Sequence, residues 1–375
     1  MINAPRLLTS LSALERFTND ALELRHHSGY LSGFNFNRDL LRAAVANTYL
    51  ETVGTRSDSI HLTIERHTIK DAITGIGDSL FSRISALSGK FIWENTDPVM
   101  IAFDYTHEDF YGNRDTLWIH GWTGEHGVTG KFSYLTASIV NRDLRLPIIS
   151  IPSPMGNDMP SEIAAMLDFL GQLFGHVDLL LFDRGFHSKE LIMKLNDLEM
   201  NYLIFVPKNP QVKEEFTRMN QSEKKIILHE FYVYRDGRKV SDSMHLAFLK
   251  QIYDHRTEEY YDWCFATNVP DIDLDHIIAK YKFRWRIETM FRVQDECRIK
   301  TKSKDIRVRY FLFSYEQLVE SIWYLFYHGE VSFKRYLIEL SEACTVMVSM
   351  RQRNSYFAMM RSRSMSGTLV AKHQS

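Results

Sequence analysis

Two short apolar runs decide how this chain folds: PVMIAFDY at residues 98–105 and VDLLLFDRGF at residues 177–186. Each is a brief, continuous hydrophobic stretch bounded by turn-forming residues, the pattern of a strand buried on both faces of a sheet. Each apolar run also ends in a carboxylate, Asp104 in the first and Asp183 in the second. Parallel neighbours in one sheet would bring the two ends together and create a paired carboxylate site. Either Asp taken alone also suits a turn or a helix N-cap, and Asp183-Arg184-Gly185 makes a reasonable turn by itself.

Working outward, TLWIHGW (116–122) and KFSYLTASIV (131–140) read as two further strands, and MPSEIAAMLDFLGQLFGHV (159–177) as an amphipathic helix. After the second Asp, SKELIMKLNDLEM (188–200) is a helix with Ser188 at its N-cap, and NYLIFVPKN (201–209) is another strand. Three strands, helix, strand, helix, strand is an α/β order with a central mixed sheet. FYVYRDGRKVSDSMHLAFLK (231–250) carries an Asp236-Gly237 turn between strand-like runs, and YYDWCFATN (260–268) adds one more strand, so this segment is expected to be a β-rich insertion. From Asp273 a long helical pattern runs through YKFRWRIETMFRVQDECRI (281–299), and YEQLVESIWYLFY (315–327) continues it beyond a basic loop. The region before Pro98 is helical in periodicity, in LLTSLSALERF (7–17), NRDLLRAAVANTYL (37–50) and HTIKDAITGIGDSLFSRI (67–84). Gly54 and the polar run Thr55 to Ser59 separate two of these helices, which suits a helix-turn-helix or any small helical bundle.

The expected organisation is therefore a helical domain over 1–95 as the candidate DNA-binding part, the first part of an α/β core over 96–210, a β-rich insertion over 211–270, the Glu288 helix with C-terminal helices over 271–345, and a basic tail over 346–375. With 375 residues, 45% hydrophobic and 25% charged, the chain falls in the ordinary globular range. No run of apolar residues is long enough for a membrane span, and the N-terminus lacks a signal-peptide pattern, so the expected location is cytoplasmic and, for a DNA-acting protein, nucleoid-associated. Cys264, Cys297 and Cys344 are too few and too scattered for a disulfide framework or a zinc site. A net charge of −2 speaks against nucleic acid until its distribution is considered. Lys282 to Arg309 holds ten Lys or Arg against four acids, and Ser349 to the end holds five and no acid, local stretches of the kind that phosphate binding needs.

On a helix, residues four or seven apart share a face, so Tyr281, Arg284, Glu288, Arg292 and Asp295 form one stripe with Glu288 at its centre. A solvated face with weak ion pairs and a catalytic carboxylate flanked by cations fit that spacing equally. Two other features carry less. His107, Glu108 and Asp109 read as loop, and Trp263 reads first as a packed strand residue and second as a surface on which an extruded base could stack.

YKFRWRIETMF resembles the Tyr-x2-Arg-x3-Glu-x6-Lys signature of the DDE transposases of bacterial and archaeal insertion sequences. IAFDYTHEDFYG (101–112) resembles the first catalytic Asp region of an archaeal-type branch of that family, and LLLFDRGFHSKELI (179–192) with YLIFVPKN (202–209) resembles the second. The likeness spans roughly residues 95 to 325, in the family's order. It implies an RNase H-like core interrupted by the β-rich segment, with Asp104, Asp183 and Glu288 as the catalytic, metal-binding triad. It implies Mg2+ or Mn2+, two ions, as cofactor, and Tyr281 and Arg284 as DNA contacts; the family Lys is replaced here by Asp295, and Arg292, one turn from Glu288 on the same face, is the candidate to take its place at the DNA. The implied partners are double-stranded DNA, both terminal inverted repeats and target DNA, bound by a homodimer, with no membrane and no small-molecule substrate. The implied activity is cleavage of insertion-sequence ends and strand transfer. A nuclease that does not join DNA, and a degenerate relative that only binds DNA and regulates, are the rival expectations, and Asp295 is the feature that keeps the second open.

Overall fold

The computed structural model describes residues 2, 4–22, 33–53, 72–95, 98–122, 127–141, 144–255 and 257–370. It divides into two compact units, Ile84–Arg292 and the pair of segments Met1–Arg83 with Val293–Ser375.

The unit Ile84–Arg292 is built on one mixed sheet. Its strands are β1 (Met100–Phe110), β2 (Ile119–Gly121), β3 (Gly130–Val140), β4 (Arg145–Ser153), β5 (Leu179–Phe182), β6 (Tyr202–Phe205), β7 (Lys224–Arg235), β8 (Arg238–Asp254) and β9 (Glu259–Thr267). Their order is β2-β3-β1-β5-β6-β9-β8-β7, with β4 also pairing β3. β1 runs parallel to β5 from Met100↔Leu179 to Phe103↔Phe182, and antiparallel to β3 as far as Phe110↔Gly130. β1 therefore does not end at Asp104. Only its parallel neighbour stops there, while β3 keeps pairing the outer half.

Four strands, not three, precede the first helix of this unit's α/β part. β4, RLPIISIPS, contains Pro147 and Pro152 and pairs only with β3, lying beyond β2 along the same outer edge. An edge is where a strand tolerates residues that cannot donate to a ladder, and those prolines are why its sequence does not announce a strand. The β-rich segment is present, with Asp236 and Gly237 at φ 49° and 74° making the tight turn between β7 and β8. It is not a separate layer. β9 pairs antiparallel with both β6 and β8, so these strands extend the core sheet.

Alternation along the strands sorts side chains between the two faces. Met100 and Ala102 of β1, Leu179 and Leu181 of β5, Leu203 of β6, Ala247 and Leu249 of β8, and Trp263 and Phe265 of β9 form one buried cluster with Ile277, Tyr281, Ile287 and Met290. The last four belong to two short helices, Ile277–Lys282 and Trp285–Gln294, which cover that face of the sheet within this unit. Ile101, Phe103, Leu180 and Phe182 point the other way and are fully buried. The helices Met159–Phe174 and Lys189–Asp197 also form, the second capped by Ser188, whose hydroxyl accepts the Leu191 amide at 3.2 Å.

The other unit is helical. Ala4–Ala21, Gly33–Ala46 and the long helices Ile306–Tyr327 and Phe333–Val370 enclose a core that includes Leu14, Phe17, Leu40, Leu41, Tyr315, Tyr336 and Leu337. Phe17 stacks on Phe311 with ring centroids 5.5 Å apart. The two segments of chain are tied by backbone as well. Leu50 N–H donates to the Lys300 carbonyl at 2.8 Å, and Lys300 N–H to the Thr48 carbonyl at 3.1 Å. The polar run Gly54 to Ser59, which separates the expected N-terminal helices, lies outside the described residues. Residues expected as a basic tail are helical as far as Val370. Among the described residues no helix is long and apolar enough to cross a membrane.

Candidate active site

The pairing Phe103↔Phe182 is the last rung of the parallel ladder; Asp104 follows within β1, and Asp183 follows immediately after β5 with extended backbone. Two-residue alternation puts Asp104 on the face of Met100 and Ala102, and Asp183 on the face of Leu179 and Leu181. That face is the one covered by the helices carrying Tyr281 and Glu288.

The long helix expected from Asp273 onward is broken. Its halves meet at Phe283 and Arg284 through bonds of i to i−3 type: Arg284 N–H to the Tyr281 carbonyl at 2.9 Å, Arg286 to Phe283 at 3.0 Å and Ile287 to Arg284 at 3.0 Å. Such a tightened turn eclipses residues three apart. Arg284 Nε accordingly donates to the Tyr281 hydroxyl at 3.2 Å. Its guanidinium then reaches both ways, Nη1 to Asp104 Oδ2 at 3.1 Å and Nη2 to Glu288 Oε1 at 2.6 Å. The Arg284 side chain is 5% exposed, that of Asp104 19% and that of Glu288 48%. One buried guanidinium thus links the β1 carboxylate to the helix carboxylate.

The electrostatics identify this as a crowded anionic site. Burial pushes Asp104 up to about 6. Arg284 and the Tyr105 N–H, 2.9 Å from Oδ1, oppose the shift, while the charges of Glu288 and Asp183 add to it. The charge of Asp183 also bears on Tyr281 and Arg284, as a smaller contribution than burial. Burial raises the Tyr281 hydroxyl well above its usual range. A carboxyl group raised in the folded state stabilises the fold most below its unfolded value, and that contribution is lost as pH rises through the folded value. For Asp104 the window runs from about pH 4 to about pH 6 and amounts to about 3 kcal/mol at most. In metal-free protein the denaturant midpoint should fall across that window, and Asp104→Asn should flatten the fall. A variant with the wild-type pH slope would remove Asp104 as its source.

Among the described residues no three His, Cys, Asp or Glu side chains converge as a ready-made metal site, and Arg284 stands between two of the expected ligands. The donor chemistry nevertheless suits a hard divalent ion, since all three groups are carboxylates. One guanidinium is bonded to two of them, and Asp104 is pushed up to about 6 even with that cation in place.

The remaining candidates separate clearly. Tyr281 is 2% and Arg284 4% exposed, so in this conformation neither offers a surface to a DNA backbone. Arg292, one turn beyond Glu288, is exposed. Asp295 lies past the end of that helix, in the single turn Asp295–Cys297, and pairs with Arg298 at 2.5 Å, so the expected five-residue stripe is not one helical face. Trp263 is 8% exposed and stacks on Phe265 with centroids 5.9 Å apart, leaving no free face for a base. His107, Glu108 and Asp109 lie within β1 and not in a loop.

Residues 155–311 match a transposase DDE domain. The DDE domain match contains Asp183 and Glu288 and leaves Asp104, on β1, outside it. The fold is similar to that of piggyBac transposase, determined by cryo-EM as a synaptic complex with hairpin DNA. The TM-score is 0.53 at 12% sequence identity, covering 92% of this chain and 79% of that one. A search of curated proteins finds no match. The mixed sheet with helical regions at both ends of the chain is thus an arrangement found in a transposase.

Proposed function

We propose that this chain is a DNA transposase that cuts the ends of its element and joins them to target DNA. The observation that carries the proposal is the rung Phe103↔Phe182, which sets Asp104 and Asp183 abreast on the face where Arg284 ties in Glu288. The match of residues 155–311 to a transposase DDE domain supports the same reading.

In this reading Asp104, Asp183 and Glu288 hold Mg2+ or Mn2+. Bound there, two ions would activate the attacking oxygen and stabilise the departing one in phosphodiester displacement. The protein's own part is to gather negative charge in a partly buried place, to fix two carboxylates on adjacent strands, and to set the third by the turn at Arg284. Arg292, exposed one turn from Glu288, supplies a phosphate contact where the family Lys is replaced by Asp295. Tyr281 anchors the turn through its ring in the core and its hydroxyl on Arg284. DNA, with the element's inverted repeats and a target duplex, is the substrate, and a dimer would bring two ends together.

The test is incubation of the protein with DNA carrying the element's own flanking ends, in Mg2+ or Mn2+ and again in EDTA. The expected result is metal-dependent cleavage followed by strand-transfer products. Cleavage without joining would make the chain a nuclease. Binding of the ends without cleavage in either metal would make it a DNA-binding regulator, the reading that Asp295 keeps open.

A further inference from the structure

The geometry points to Arg284 as an internal counter-ion that must give up its carboxylates before a metal can load, which couples metal affinity to the arrival of a DNA phosphate. The inference rests on the metal-binding reading proposed above and adds how that site is kept closed without DNA.

Arg284 is no surface residue with an incidental ion pair. Its side chain is 5% exposed and each of its three nitrogens has an acceptor: Nε on the Tyr281 hydroxyl at 3.2 Å, Nη1 on Asp104 Oδ2 at 3.1 Å, Nη2 on Glu288 Oε1 at 2.6 Å. The Glu288 contact spans one helical turn, whereas the Asp104 contact spans 180 residues of sequence, so the guanidinium is fixed by the fold and not by its helix alone. Oxygens accepting charge-assisted hydrogen bonds from an arginine fork are oxygens withheld from a metal ion. In this state a divalent ion approaching Asp104 and Glu288 competes with a cation already seated between them.

Release of Arg284 is costly unless it acquires another anion. A buried guanidinium stripped of its carboxylates and placed beside a divalent cation would be both unpaired and repelled. Tyr281, its remaining partner, is neutral, because burial raises its hydroxyl far above physiological pH. A phosphate of the substrate supplies the missing negative charge, with the bidentate geometry that arginine prefers. Metal and DNA therefore favour the same rearranged state, and each raises the affinity for the other, because linkage between two binding events is reciprocal.

The experiment is Mn2+ binding, followed by the electron paramagnetic resonance of free Mn2+, on the full-length protein with and without a short DNA duplex. Binding lost in Asp183→Asn defines the site and removes the contribution of ions bound to the duplex. Wild type should bind this Mn2+ on the order of ten-fold more tightly with duplex than without, within the range usual for coupled sites. Arg284→Gln should bind it tightly without duplex and gain little when duplex is added. Equal wild-type affinity with and without duplex would overturn the inference while leaving the metal site intact, and this comparison does not depend on whether Arg284→Gln folds. An affinity of Arg284→Gln no higher than wild type without duplex would overturn it as well. If no Mn2+ binding is sensitive to Asp183→Asn under any condition, the metal-binding reading itself fails, and the coupling with it.

Discussion

Asp183→Asn and Glu288→Gln are each expected to lower DNA cleavage on the order of 10³-fold or more, equivalent to about 4 kcal/mol of barrier, with little change in melting temperature. Both substitutions remove one negative charge and keep nearly the same shape. In Glu288→Gln the amide oxygen still accepts the 2.6 Å bond from Arg284, so the turn at Phe283 and Arg284 keeps its tie. Glu288 is 48% exposed, and an ion pair of that kind contributes at most about 1 kcal/mol to folding. The two variants therefore separate charge needed for metal from charge needed for structure. Asp104→Asn is less clean, because Asp104 is 19% exposed and its protonation is linked to folding near pH 6. The measurement is cleavage of end-bearing DNA at saturating Mg2+, beside thermal unfolding of each protein. Wild-type cleavage by Glu288→Gln would remove Glu288 from the site. Lost cleavage together with a large drop in melting temperature would indicate a structural carboxylate.

Much of this site was legible before the fold, and the reason is periodicity. A run such as PVMIAFD fixes both a buried strand and, by alternation, the face on which Asp104 falls, and LLLFD does the same for Asp183. The spacing of Arg284 and Glu288 announced their i, i+4 ion pair. What the spacing did not announce is the partner on the sheet beneath. The Arg284–Asp104 bond joins residues 180 apart and depends on a helix break at Phe283, where neither Pro nor Gly marks the place. β4 stayed hidden because its prolines lack the N–H that a strand ladder uses, although an edge strand accommodates them. The basic stretch from Lys282 to Arg309 was legible as composition but not as surface. Arg284 and Arg309 are 4% and 2% exposed, and Arg309 donates to the carbonyls of Thr301 and Ser303 at 3.0 and 2.7 Å. Charge counted along a sequence overstates what is free to meet phosphate, since a buried arginine is committed to the acceptors around it.

Phe182→Ala is expected to cost about 3–5 kcal/mol, a large share of the roughly 5–15 kcal/mol by which a native fold is ordinarily stable. Phe182 is fully buried on the face opposite the carboxylates, its ring 5.1 Å from Phe103 in a near-parallel stack and 5.5 Å from Phe186. β5 is only four residues long, so little ladder remains to hold its end once the ring is gone. That end is Asp183. The stack on one face of the sheet therefore sets the carboxylate on the other, through the last parallel rung between Phe103 and Phe182. Phe182→Leu separates the two consequences, because it keeps most of the buried volume while abolishing the stack. If the stack positions Asp183, this variant should remain folded in urea titration yet lose more cleavage than its small stability change explains. Cleavage that tracked only the folded fraction in both variants would mean that backbone pairing alone holds Asp183 in place.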